Sequence, residues 1–358
     1  MKMPMPFSLR LASVLIILIA AGFLTVIGET VLAPLLFALL IALLLLPLSN
    51  FFENKLKFPR PLGVTMAIII FLTGVAIIIY SLSSQIANLT KEWPLLKEQV
   101  GSLFQNLQTW FKNTFNVNIH QQTEYIDKTT SKVLGSSGSF IEKTFLSLST
   151  FLLLSVFTII YTMFILLYRR HLMRFIIAVF AENHHPVIYE ISTEIKSIVR
   201  KYITGLLFEM AILVGLSAFL FWIIGIKYVF LLAMLVGVLN LIPYVGIFTA
   251  LFIGICITMA TSDPQHTLYL AITVIGIHLF DSNFLMPKIV GSKVRINPLI
   301  VILGVVVGEM LWGIPGMFLS VSYLAMVKII FDRVEEMKPW GMLLGDDSPI
   351  KKVKSRTR

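Results

Sequence analysis

The sequence predicts an all-α integral membrane protein with about eight membrane segments, two of them broken hairpins in an inverted repeat, and an extracytoplasmic helical insertion. Three observations predict it. Hydrophobic residues make up 57% of the chain and charged residues 13%, with a mean hydropathy of +0.88, far from the balance of soluble domains. Apolar runs of spanning length fall at 9–28, 29–50, 62–84, 146–168, 205–226, 229–261, 267–286 and 298–330. Two of these, 229–261 and 298–330, exceed the roughly 20 residues a single crossing needs, and each carries a breaker near its middle. The first has Pro243 with Gly246, the second Gly313 and Pro315 with Gly316.

The elements follow in order. "MKMPMPFSLRLASVLIILIAAGFLTVIGE" has a basic start and an apolar run, with no small-x-small cleavage site before the second apolar run begins, so it reads as a retained helix rather than a signal peptide. Lys2 and Arg10 start inside, which puts the Gly28-Glu29-Thr30 turn outside; Lys55, Lys57 and Arg60 mark an inner loop, and Arg169, Arg170 and Arg174 the next one. Segments 1–84 and 146–204 are thus membrane helices and their inner connections. Between them, 85–145 holds six lysines, no arginine and five acids, as an outer domain can. Its Ile86, Leu89, Trp93, Leu96, Val100, Leu103, Leu107 and Trp110 alternate spacings of three and four, a coiled-coil-like seam whose partner is sought in 121–147. Residues 186–203 carry Ile188, Ile191, Ile195, Ile198 and Tyr202 on one face and begin with Pro186, the pattern of an interfacial helix on the inner surface.

Segment 205–330 reads as the transport core and 331–358 as a basic inner tail. If 229–261 crossed once, the loop with Lys288, Lys293 and Arg295 would face outward; a hairpin puts it inside. The basic tail "PIKKVKSRTR" then requires 298–330 to be a hairpin as well. A helix and a hairpin (205–261) are followed by a helix and a hairpin (267–330) that start from the opposite side. The tips "LVGVLNLIPYVGIF" and "VVVGEMLWGIPGMF" share a glycine, a short polar step, Ile-Pro and another glycine. Inverted repeats with discontinuous helices are a feature of secondary transporters, and the broken tips point at the binding site.

Ionisable side chains inside spans are costly and mark function by default. They are Glu209, His278, Asp281 and Glu309. Glu209, about one turn into its helix, is within reach of the inner interface. His278 and Asp281 are three apart, hence on one face, and Asn283 follows in "HLFDSNFLMP". Glu309 lies beside the second tip, near Pro315, and suits a protonation-coupled role. Asn240 and Tyr244 flank the first break at Pro243 and Gly246 and can hydrogen-bond a polyol or complete a cation's shell. The expected site is built from these tips and the helix carrying Asp281.

No Walker loop, GxSxG or HExxH occurs, so neither an enzyme nor a cofactor is expected. The single cysteine, Cys256, excludes an intramolecular disulfide and a CxxC site. His184 and His185 are adjacent and poorly placed for one metal, so no metal is expected. The net charge of +10 lies in basic residues flanking apolar runs, which orients a membrane protein and does not call for nucleic acid. The expected partners are a small polar solute or a monovalent cation, the lipid bilayer and further copies of the chain.

The runs "GIKYVFLLAMLVGVLNLIPYVGIF", "LFDSNFLMPKIVGSKVRINPLIVILGVVVGEMLWGIPGMF" and "KIIFDRV" resemble the autoinducer-2 exporter family of bacterial membrane proteins. Pro-Tyr-Val-Gly, the Pro-x-Ile-x-Gly run at 287–291 and Asn297-Pro298 carry the resemblance, in order and spacing. It implies an oligomeric inner-membrane transporter, multi-pass, with an extracytoplasmic insertion. The layout above puts both termini inside. Members are associated with export of the signalling furanone autoinducer-2, others with exchange of sodium or lithium for protons. Where the family usually has glycine after Gly308, this chain has Glu309, which suits cation or proton coupling. Export of an autoinducer-2-type solute is the leading expectation and monovalent cation/proton antiport the second. An oligomeric channel or a non-transporting scaffold built on the outer coiled coil stands behind them.

Overall fold

The computed structural model describes residues 7–91, 102, 109, 137–242, 245–289 and 296–345. Most of the expected insertion, its coiled-coil seam and partner included, lies outside the described residues, as do Pro243, Tyr244 and the last residues of the tail. The described chain is helical: α1 (Phe7–Ile27), α2 (Glu29–Asn54), α3 (Arg60–Lys91), α4 (Ser137–Val179), α5 (His185–Ile224), α6 (Val229–Leu239), α7 (Val245–Thr261), α8 (Pro264–Phe280), α9 (Met286–Ile289), α10 (Pro298–Arg333) and α11 (Lys338–Leu344). Six helices are long and apolar enough to cross a membrane, with shorter apolar helices at Leu15–Ile27, Val229–Leu239 and Val245–Met259. Their outward faces carry large exposed apolar side chains such as Ile69, Phe175, Trp222 and Phe252, as lipid-facing helices do. The protein is a multi-pass α-helical membrane protein.

The chain divides into two compact units. One comprises Met1–Ala67, Phe157–Gly205 and Val290–Arg358, the other Ile68–Val156 and Leu206–Ile289.

In the first unit, α2 buries its small-residue face, Ala33, Ala38 and Ala42 with Leu40 and Leu45. α10 buries Leu319, Ser322, Ala325 and Met326. Small residues let helix backbones approach where lipid gives no hydrophobic drive. Tyr323 Oη donates to the Leu36 carbonyl at 2.9 Å, and Phe37 stacks on Phe318 at 5.9 Å. Trp312 Nε1 donates to the Thr25 carbonyl at 3.1 Å, in the last turn of α1 where carbonyls run out of intrahelical partners.

α10 is two helices across a break: Trp312 (φ −141°) and Gly313 (φ 62°) leave helical geometry. Past that break the chain returns on itself. A Cβ at Gly308 would collide with the Gly316 backbone, and one at Gly304 would press on Leu324. That is the hairpin expected for 298–330. The expected tail instead continues the helix to Arg333 and folds into α11. Gly341 there packs tightly on Phe331 and Asp332, where a Cβ would meet the Asp332 carboxylate, and Arg333 pairs with Glu190 and Glu194 at 2.5 and 2.8 Å.

In the second unit, α6 and α7 form the other reversal. α6 ends at Leu239, Asn240 still has helical torsions, and Gly246 sits so tightly on the Leu239 carbonyl that a Cβ would clash. The core is Phe221, Ile226, Leu231, Leu232, Val236, Ile247, Leu270, Val274 and their neighbours from α5, α6, α7 and α8. The stretch 186–203, expected as a separate interfacial helix, instead runs without a break into the apolar segment as the 40-residue α5. A change of pattern from amphipathic to apolar does not itself stop a helix; Gly205, the one weak residue at the join, costs only about 1 kcal/mol.

Candidate functional site

The site grows out of one irregular turn. Pro287 has no N–H and its ring crowds the carbonyl four residues back. The chain accommodates it by widening: Asp281–Leu285 form a π-helical turn, with the Met286 N–H bonded to the Asp281 carbonyl five residues earlier. Single π turns within α-helices recur at functional sites because they re-aim a side chain. Here the side chain is that of Asp281, 4% exposed.

Two helices bring it partners. Gly237 on α6 lies against α5, where a Cβ would strike Val214 and crowd the Met210 carbonyl. That close approach sets the end of α6 beside the turn of α5 that holds Glu209. Asn240, one turn beyond Gly237, donates from Nδ2 to Asp281 Oδ2 at 3.1 Å, across 41 residues of sequence. The Glu209 carboxyl, also 4% exposed, lies against that of Asp281, within hydrogen-bonding reach. Two carboxylate oxygens are both acceptors, so a bond between them exists only with a proton on one of them. Glu209 Oε2 and Asp281 Oδ1 have no partner among the described residues, and no lysine or arginine pairs with either acid there.

Two acids, an amide and no compensating cation, in a buried polar spot among apolar helices, can hold a proton or a small cation. No group of three His, Cys, Asp or Glu residues among the described residues is arranged to hold a metal ion. The donor set therefore suits a proton or a monovalent ion better than a transition metal.

The other expected residues are distributed as follows. His278 is half-buried one turn before Asp281 on α8, its Nδ1 shielded and without a partner among the described residues. Asn283 is exposed and bonds back to the Leu279 carbonyl at 2.7 Å. Gly246 is buried at the α6–α7 reversal. Glu309 and Pro315 belong to the first unit, on either side of the α10 break, and both are exposed. Pro243 and Tyr244 lie outside the described residues. Glu209 was legible only as an acid in an apolar run, with an escape to the interface; its burial against Asp281 is a tertiary fact.

A multi-pass helical bundle with helices broken at glycine and proline, and with acids buried beside the breaks, has the build of a secondary transporter. The chain belongs to the family described as AI-2E family transporter, which it matches over residues 11–336. Putative transport protein YrrI of Bacillus subtilis is similar at 25% identity, over 87% of this chain and 88% of its own length. Putative transport protein YhhT of Escherichia coli K12 is 21% identical over 97% and 96%. AI-2 transport protein TqsA of the same strain is 24% identical over 88% and 90%.

Proposed function

We propose that the protein is a secondary transporter that exports a small polar solute of the autoinducer-2 type, with the Glu209–Asp281 pair as the site where a proton or monovalent cation couples to transport. The observation that carries this reading is the pair itself. A charged group inside a membrane span costs about 2.5–3.5 kcal/mol even on insertion scales, and two carboxylates side by side repel each other unless a positive charge joins them. A site that needs a positive charge, with no basic side chain paired to it among the described residues, takes that charge from outside and releases it when the site opens to water. Asn240 holds Asp281 in register, and the π turn supplies a segment able to shift.

Support for the solute is similarity to AI-2 transport protein TqsA, whose name gives the cargo of that protein. In this reading the chain lies in a bacterial inner membrane with both termini cytoplasmic, as its lysines and arginines favour, and works as a homo-oligomer. Asn240, Gly246, His278 and Asn283 of the second unit, with Pro243 and Tyr244 beside them in sequence, are the candidate solute-contacting residues.

A second reading has its own observation. Two carboxyls, each with an oxygen unpartnered among the described residues, are oxygen donors that suit sodium or lithium, which makes the cation itself the cargo and the reaction cation/proton antiport. Proteoliposomes decide between them. Labelled furanone accumulating in response to an imposed pH or sodium gradient supports export. Sodium- or lithium-driven proton movement with no furanone flux supports antiport, and neither flux from folded, reconstituted protein overturns both.

A further inference from the structure

A second polar cluster lies in the first unit, at the turn from α2 to α3. Ser49 Oγ donates to Glu53 Oε1 at 3.0 Å, and Arg169 Nη2 on α4 donates to Glu53 Oε2 at 2.8 Å. Both oxygens of the one carboxylate are therefore engaged. Arg60, the first residue of α3, adds a second guanidinium whose nearest charges are Arg169, Glu53 and Arg170. Positive charge is in excess. Arg60 Nε, Arg60 Nη2 and Arg169 Nη1 are shielded from solvent and have no acceptor among the described residues.

Buried N–H groups are almost always satisfied, and a guanidinium presents its donors as a planar fork matched to an oxyanion. Three unpartnered nitrogens from two arginines, beside a Glu53 whose two oxygens each already accept one bond, leave positive charge and buried donors for which the described residues supply no acceptor. Orientation of the chain by basic residues explains arginines that snorkel to water, and it does not explain donors turned away from water. Around the cluster, Phe51, Phe58 and Leu62 on the α2–α3 turn and Tyr168 and Leu172 on α4 are exposed apolar side chains, and Lys55 and Lys57 lie on the turn between.

We propose that Arg60 and Arg169 form a binding site for a phosphate group, occupied by the phosphodiester of an anionic membrane lipid whose acyl chains lie along the exposed apolar flank. Basic pockets between spanning helices take headgroups in this way. The phosphate chemistry is common to a lipid headgroup and to free phosphate. The apolar surroundings favour the lipid.

The test uses the purified full-length protein in detergent, with phosphatidylglycerol, phosphatidylcholine and sodium phosphate as probes, read by native mass spectrometry and thermal unfolding. The wild type is expected to retain phosphatidylglycerol in preference to phosphatidylcholine and to be stabilised by it. Arg60→Gln, which removes a guanidinium without a carboxylate of its own, is expected to weaken that retention about tenfold, on the scale of one charge-assisted bond. Glu53→Gln, which removes the competing negative charge, is expected to preserve or tighten it, and keeps the proposal falsifiable if Arg60→Gln does not fold. Stabilisation by phosphate alone, lost in Arg60→Gln, supports the site with free phosphate as occupant. Equal retention of both lipids, or unchanged phosphatidylglycerol and phosphate binding in folded Arg60→Gln, overturns the proposal.

Discussion

Two polar clusters among the described residues, one buried and one half-buried, are opposite in sign and held in opposite ways. In the second unit, Glu209 and Asp281 lie together on helices, with the Asn240 amide bonded to Asp281 and the π turn at their feet. In the first, Arg60 at the start of α3 and Arg169 within α4 stand by a carboxylate that Ser49 and Arg169 fix. No lysine or arginine pairs with the acidic pair among the described residues, so in the proposed function what neutralises it comes and goes. The basic cluster already has a fixed ion pair and lacks only acceptors, so what completes it can stay. Burial alone does not separate them; the presence or absence of a built-in partner does.

That contrast can be broken in four places, taken from the largest expected effect. Asp281→Asn keeps the shape and removes the charge that Asn240 and Glu209 both address; transport is expected to fall about a hundredfold, the scale of a buried charge-assisted interaction, with the thermal midpoint nearly unchanged. Vesicle flux and thermal unfolding on the same preparation check this. Glu209→Gln leaves one acid with a neutral donor beside it, and a tenfold loss of flux, about 1.4 kcal/mol, is expected together with loss of the dependence on the driving ion.

Arg169→Gln tests the other cluster. It strands the half-buried Glu53, so stability is expected to drop by about 2 kcal/mol while transport per folded molecule changes little. A variant that lost flux without losing stability would erase the distinction between the two clusters. Glu309→Gln comes last. Its side chain is exposed on the first unit, and less than about a twofold change in flux is expected, because exposed charges contribute only about 0–1 kcal/mol.

Much of this was legible in the residues. Eight apolar runs, two of them overlong with central breakers, led to helices and to two reversals, and Gly246, Gly308 and Gly316 are glycines because backbone meets backbone there. Asn240 and Asp281 were recognisable singly, since a polar residue in an apolar run has few cheap explanations. Their bond was not recognisable, because it spans 41 residues and depends on how α6 and α8 pack. Glu209 was underrated for the same reason. One turn from a helix start it had a plausible route to water, and only the close packing of α5 and α6 at Gly237 closes that route. Arg60 and Arg169 were read as orientation charges, which their number and position allow; that their nitrogens face inward is a matter of side-chain rotamers that no pattern encodes. The long α5 was misread in its first half because amphipathic periodicity marks a face, whereas only a breaker marks an end.

The most direct test of the central claim is proton movement in proteoliposomes carrying wild type, Glu209→Gln or Asp281→Asn, on adding sodium, lithium or the labelled furanone. Substrate-dependent proton movement in the wild type that is lost in both variants, with folding intact, is the predicted result. Undiminished proton movement in folded Asp281→Asn would contradict the assignment of coupling to this pair.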